Sequence, residues 1–173
     1  EVNVPDARQF PRLHIAKAVL EADVVISLPK LKTHELTLYT GAVKNFFGTI
    51  PQKTRKQAHA LEDRNRFGNA VVDIYSVVKP QISVMDGVIG MEGNGPSGGT
   101  PVKAGVVMAS YDCVALDIIA SELIGIDPMK VPTNRAAISR GFGTEHPEVA
   151  GTPLEEVKVR FKSLNDIPFF IPF

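Results

Sequence analysis

The sequence is short of most features that would announce a function at once. It holds one cysteine, Cys113. That excludes a disulfide framework and any four-thiolate metal or iron–sulfur site built from this chain alone. A lone thiol fits a reducing compartment, so a cytoplasmic location is the expectation. Net charge is missing too: Lys+Arg and Asp+Glu are both 19, and bulk electrostatics give no pull toward nucleic acid or an anionic membrane. Apolar runs stay far below the ~20 residues a spanning helix needs, so no membrane is expected as a partner. The basic stretch 53–66 lacks interleaved aromatic residues, which argues against a nucleic-acid surface. The four histidines, His14, His34, His59 and His146, show no zinc-hydrolase spacing.

What is present is an ordinary globular composition, 44% apolar and 22% charged over 173 residues, enough for one α/β domain spanning 1–173. The chain opens on Glu1 rather than Met, and is read as a piece of a longer protein whose N-terminal part lies elsewhere. Apolar spacing predicts a helix over 12–22 and then a strand over 24–28, whose continuous β-branched run reads as buried on both faces. A short helix between Gly41 and Gly48, a charged surface helix over 52–63 and an amphipathic helix over 67–78 follow. Strands are predicted over 81–85 and 102–110. Ser110 is then expected to cap a helix over 111–124, with Asp112 in its first turn. A shorter helix over 131–140, a strand over 157–161 and a proline-rich tail complete the chain. Strand–helix alternation predicts a three-layer αβα fold with a mostly parallel sheet, whose ligand crevice lies at the carboxyl ends of the strands.

The stretch that stands out is DGVIGMEGNGPSGGT at 86–100, with six glycines and the oxygen-bearing Asp86, Glu92 and Asn94. Its GNGPSG formally matches a dinucleotide fingerprint, but Pro96 interrupts it and a strand, not a helix, follows. A pyrophosphate-binding turn needs the helix. The stretch is either a structural turn or a loop that cradles a ligand or metal. LPKLKTH, directly after the first predicted strand, sets Lys30, Lys32 and His34 on alternate positions. An extended segment would put all three on one face. With Lys44 and Asn45 they could hold a phosphate or carboxylate; otherwise they are a solvated edge. Asp86 and Glu92, with Asn94 and Asp112, offer hard oxygen ligands for a divalent cation, or serve as caps. Asp117 either caps a buried donor or faces the site. These segments are expected to converge in one pocket formed by LPKLKTH, the glycine-rich stretch and the Ser110 junction.

Taken together, ADVVISLPKLKTH, GAVKNFFG, DGVIGMEGNGPSGG and SYDCVALD resemble the domain of unknown function 362 family, over roughly 13–144. Some members of that family are fused to ferredoxin-like parts with iron–sulfur clusters. The resemblance therefore implies a redox- or cofactor-associated protein, or alternatively a non-catalytic module that docks an iron–sulfur domain or partner. With one cysteine, no ferredoxin-like part is expected within these 173 residues. The motif positions that carry over are Lys30, Lys32, His34, Lys44, Asn45, Asp86, Glu92, Asn94, Asp112 and Asp117.

Overall fold

The computed structural model describes residues 1–162, and the proline-rich tail beyond them lies outside the described residues. A five-stranded mixed sheet organises the chain into an open α/β fold. Its spine is β6 (Ile82–Glu92), an 11-residue strand. On one side β6 pairs in parallel with β3 (Ile26–Ser27) and then with β4 (Lys30–His34), Pro29 marking the break between them. On its other side it pairs antiparallel with β7 (Thr100–Ser110). β5 (Leu38–Thr40) adds antiparallel to β4 as the outer strand. A small hairpin of β1 (Val2–Asn3) and β2 (Arg12–Leu13) stands apart.

The strand over 82–92 corrects the sequence reading of the glycine stretch. Asp86 to Glu92 is strand, and only residues 93–99 turn, at the tip of the β6–β7 hairpin. That connection confirms the rejection of the dinucleotide fingerprint, which needs a helix at that point.

The helices gather on the face of β6 that buries Ser83 and Met85. α5 (Cys113–Leu123) packs there, behind α2 (Ala42–Asn45) and against α6 (Pro132–Ser139). α4 (Arg64–Val78) joins α2 and α6, and begins at Asp63, whose side chain accepts from the Arg66 amide. The core runs through Leu31, Tyr39, Val43, Phe67, Val71, Met85, Val114 and Ile118. α3 (Gln52–His59) buries only Ala58, as a surface helix should.

Three expectations fail for identifiable reasons. The segment over 12–22 is helical only at α1 (Lys17–Leu20). Leu13 and Ile15 are both buried, and that period of two belongs to a strand, not a helix. The run over 24–28 is not buried on both faces: Val24, Ile26 and Leu28 are 59%, 56% and 70% exposed. By register Ile26 shares its face with Ile82, Val84 and Asp86, and with Val107 opposite Asp86, itself 65% exposed. No described helix covers that face. Finally, 157–161 is not a strand: α7 (Leu154–Val157) ends it, and Val159 and Phe161 donate instead to the carbonyls of Leu123 and Ile124.

Candidate functional site

The expected single pocket divides into separate places. Lys30 is committed to Asp86, Nζ to Oδ2 at 2.7 Å, on the open sheet face. That bond, helped by the Val88 amide, holds the Asp86 carboxyl below the usual range. Glu92 is buried and accepts from the Lys162 amide at 2.9 Å. Six residues of one strand separate the two carboxylates, roughly 20 Å at a strand's rise. The expected Asp86–Glu92 cation site is therefore not assembled by these two side chains. Among the described residues, no group of three or more acidic, His or Cys side chains is placed to hold a metal ion.

The Ser110 junction does not join the others either. Ser110 pairs with Ser83 at one end of the β6–β7 hairpin, and Thr100 with Glu92 at the other. Nine intervening steps put these ends roughly 30 Å apart. Asp112, not Ser110, caps α5: its Oδ1 accepts from the Val114 and Ala115 amides at 2.7 and 3.1 Å. Ser110 Oγ accepts from the Asp112 amide in turn. Asn45 donates to Ser27 Oγ, and Asn94 is exposed at the hairpin tip.

What the structure does bring together lies at the carboxyl end of β4. The hairpin tip folds back onto that strand. Thr33 Oγ1 donates to the Gly93 carbonyl, the Glu35 amide to Gly95, and Lys32 Nζ to Pro96. Gly95 is required here, because a Cβ would sit 2.0 Å from the Thr33 carbonyl oxygen. One part of the sequence reading holds: the glycine-rich turn packs against the lysine segment, through its backbone.

His34 lies two residues along β4 from Lys32, and Lys44 and His59 are near enough for their charges to act on this segment. His34 is 3% exposed, and its Nδ1 accepts from the Leu36 and Thr37 amides at 3.1 and 3.3 Å. The proton of the neutral ring therefore resides on Nε2. Burial, then the charges of Lys44 and His59, lower its pKa to about 3. His34 is consequently not the cation the spacing promised. Lys44 Nζ lies over the rings of Phe47 and Phe67, 5.2 and 5.9 Å from their centroids. Burial, and next the Lys32 charge, lower its pKa to about 8. The aromatic faces favour the ammonium by about 1 kcal/mol, less than the roughly 3 kcal/mol such a shift represents, so desolvation wins. His59 packs on the same rings, at 5.5 Å from Phe47 and 5.0 Å from Phe67. Burial and Lys44 lower its pKa as well, against the opposing pull of Glu35.

Among the described residues neither Lys32 nor Lys44 has a carboxylate within salt-bridge distance, and Lys44 Nζ has no hydrogen-bond acceptor. The sequence reading missed His59, Phe47 and Phe67, since nothing in their spacing ties a surface helix to LPKLKTH. Asp117 proves to be a buried cap: it accepts from Tyr39 Oη, and from the Ala42 and Val43 amides at 2.6 and 2.9 Å. A cavity of about 430 Å³ lies elsewhere, between β7 and α5, lined by Val106, Met108, Ile119 and Val149. It contains none of the cationic groups and is not the candidate site.

The fold and the cluster define an open α/β protein with a cationic corner at the end of a strand that no carboxylate among the described residues neutralises. The chain belongs to the family described as Domain of unknown function (DUF362), which matches residues 1–122. It is similar to the thylakoid-associated protein sll1697 of Synechocystis sp., 41% identical over 133 residues, which is 76% of this chain and 41% of that protein. The chain thus spans about two fifths of the length of that curated relative. No solved structure matches it. Among the described residues no helix is long and apolar enough to cross a membrane.

Proposed function

We propose that the chain binds an anionic small molecule at Lys32, His34, Lys44 and His59, at the carboxyl end of β4, within a redox- or cofactor-associated protein. One observation carries the reading. Lys44 is half-buried, its Nζ over Phe47 and Phe67 and within reach of the Lys32 charge, with no carboxylate in salt-bridge distance among the described residues. Burying like charges together is costly unless a partner neutralises them, and an anionic ligand is that partner. The neutral His34 supplies a donor, Nε2–H, rather than a charge. The redox or cofactor association rests on the ferredoxin-like fusions of other family members.

Thermal unfolding with phosphate, monocarboxylates and dicarboxylates tests the reading. A bound anion at a hundred times its Kd stabilises by about 2.7 kcal/mol. That stabilisation should vanish in Lys44→Ala, weaken in Lys32→Ala and persist in Lys30→Ala. If no anion in the panel raises the unfolding temperature, the reading is wrong. The working compartment under this reading is the cytoplasm; recovery of the protein with membranes on fractionation, as the relative's name would suggest for that protein, would revise it.

A second reading, docking of a ferredoxin-type domain, is favoured by a different observation. The sheet face bearing Ile26, Leu28 and Val107 exposes these apolar side chains beside the Lys30–Asp86 pair and is uncovered by any described helix. A maleimide probe on Leu28→Cys reports on it directly. The native Cys113 is buried, and burial pushes its thiol up to about 12, so it stays silent. Labelling unchanged by an added ferredoxin-type domain excludes this partner.

A further inference from the structure

The cavity between β7 and α5 runs along an open strand edge. Among the described residues β7 pairs with β6 alone, and no main-chain hydrogen bond ties residues 106–110 to any other segment. Such an edge displays a row of unpaired N–H and C=O groups, and native sheets blunt it with proline, charge or a bulge. β7 does so over its first half only. Pro101 and Lys103 lie there, and Ala104 and Gly105 bulge opposite Val88, Gly105 with a φ of +77° less three, at +74°. Val106, Val107, Met108, Ala109 and Ser110 carry no such device, and all of them line the cavity.

The cavity has the form an added strand needs. By register Val106, Met108 and Ser110 share the helix side of the sheet with Gly87, Met85 and Ser83. Met85 and Ser83 are fully buried, whereas Met108 and Ser110 across from them are only half-buried. α5 thus covers β6 and leaves β7 short of cover. Its Ala115 and Ile119 floor a groove of about 430 Å³, and residues 147–152 form the opposite wall. That wall leaves room for one extended segment rather than for the edge of another sheet. Glu148 is the one charged side chain lining the groove among the described residues. An open ladder selects a main chain, pockets beside it select alternate side chains, and the lone carboxylate favours a basic residue over an acidic one.

We propose that the β7 edge over residues 106–110 takes up an extended peptide of a partner protein as an added strand, with apolar residues at alternate positions over Ala115 and Ile119 and a basic residue beside Glu148. The edge segment is roughly 17 Å long at a strand's rise. This site is independent of the anion-binding corner, which lies toward the other end of the β6–β7 hairpin.

The probe is a fluorescein-labelled heptapeptide of sequence KVTVTVT, titrated with the chain and followed by anisotropy. Two further forms carry N-methyl groups on alternate amides, one on the valines and one on the threonines. In an added strand only one of these sets faces β7. The expected result is saturable binding of the parent peptide, lost in one methylated form and kept in the other. Exchange of the edge-facing amides within residues 106–110 should slow by at least about tenfold in the complex. Replacing the peptide's lysine by glutamate should weaken binding by about threefold, and Glu148→Lys should reverse that preference. Equal behaviour of the two methylated forms would overturn the proposal, leaving the groove to side chains or a small apolar ligand. Slow exchange of the same amides without peptide, increasing with the concentration of the chain, would assign the edge to a second copy instead. No binding of the parent peptide at about 1 mM, or binding with exchange over 106–110 unchanged, would remove the strand site.

Discussion

Protonating His34 in the folded chain should be expensive, and the cost can be read directly. In the unfolded chain this ring takes a proton near pH 6.5, whereas burial and the charges of Lys44 and His59 delay protonation in the native state to about 3. A histidine with a depressed native pKa contributes stability in full above its unfolded pKa, and that contribution is lost as pH falls toward the native one. Each pH unit in that window removes 1.36 kcal/mol. Between pH 6.5 and pH 5 the loss is therefore about 2 kcal/mol. Urea unfolding at pH 8, 6.5 and 5 measures it. His34→Asn keeps an acceptor for the Leu36 and Thr37 amides but does not titrate. Its stability should fall by about 2 kcal/mol less than that of the parent chain over the same interval. The comparison of slopes cancels other titrating groups, including Asp117, whose pKa, raised to about 6 mainly by burial, tilts the curve the opposite way between about pH 4 and 6. Identical slopes, or a His34 resonance titrating near its ordinary value, would refute the claim that the site keeps this ring neutral.

Three further outcomes are specific. Gly41→Ala would place a Cβ 1.9 Å from Tyr39 Oη and 2.3 Å from Asp117 Oδ1; a loss of about 2–4 kcal/mol in chemical denaturation is expected. Asp73 is fully buried and accepts from the Arg8, Gln9 and Phe10 amides and from Arg140. Asp73→Ala should cost about 3–5 kcal/mol and abolish the hydrogen-exchange protection of those three amides. Gly95→Ala pushes the hairpin tip off β4 through the Thr33 carbonyl, so Lys32 and Thr33 amide resonances should shift while those of α6 stay put.

Local signals in the sequence carried much of the fold. The helix ending before Lys79–Pro80, the helix closed by Gly125 and the strand ends at Pro29 all lie near where their punctuation puts them, because caps and prolines act on their immediate neighbours. Pairing was not legible in the same way. The glycines of 86–92 look like loop residues, but Gly87 and Gly90 sit in β6 because Val106, Leu31 and Phe161 crowd the space a side chain would need. Those neighbours are distant in sequence. The site divided for a related reason: LPKLKTH was expected to share a face only if it stayed extended, and the structure makes it the strand β4, but partners decided each residue's fate. Asp86 captured Lys30, the turn amides took His34 out of use as a cation, and Lys32 and Lys44 have no carboxylate partner among the described residues. His59 reaches them through Phe47 and Phe67, a contact between helices that no periodicity announces.

Asp117 gives the corner an unusual foundation. One carboxylate on α5 anchors both the tyrosine of β5 and the first two amides of α2, the segment that two residues later presents Lys44. Lys44 is thus hung from the protein's interior rather than from its surface. A change deep in α5 would be transmitted to Lys44 as a displacement, with every side chain of the cationic corner intact. Under the anion-binding reading, a screen for variants that lose binding would find Asp117 beside Lys44, although the two would do different work: one would meet the anion, the other sets where that meeting can happen.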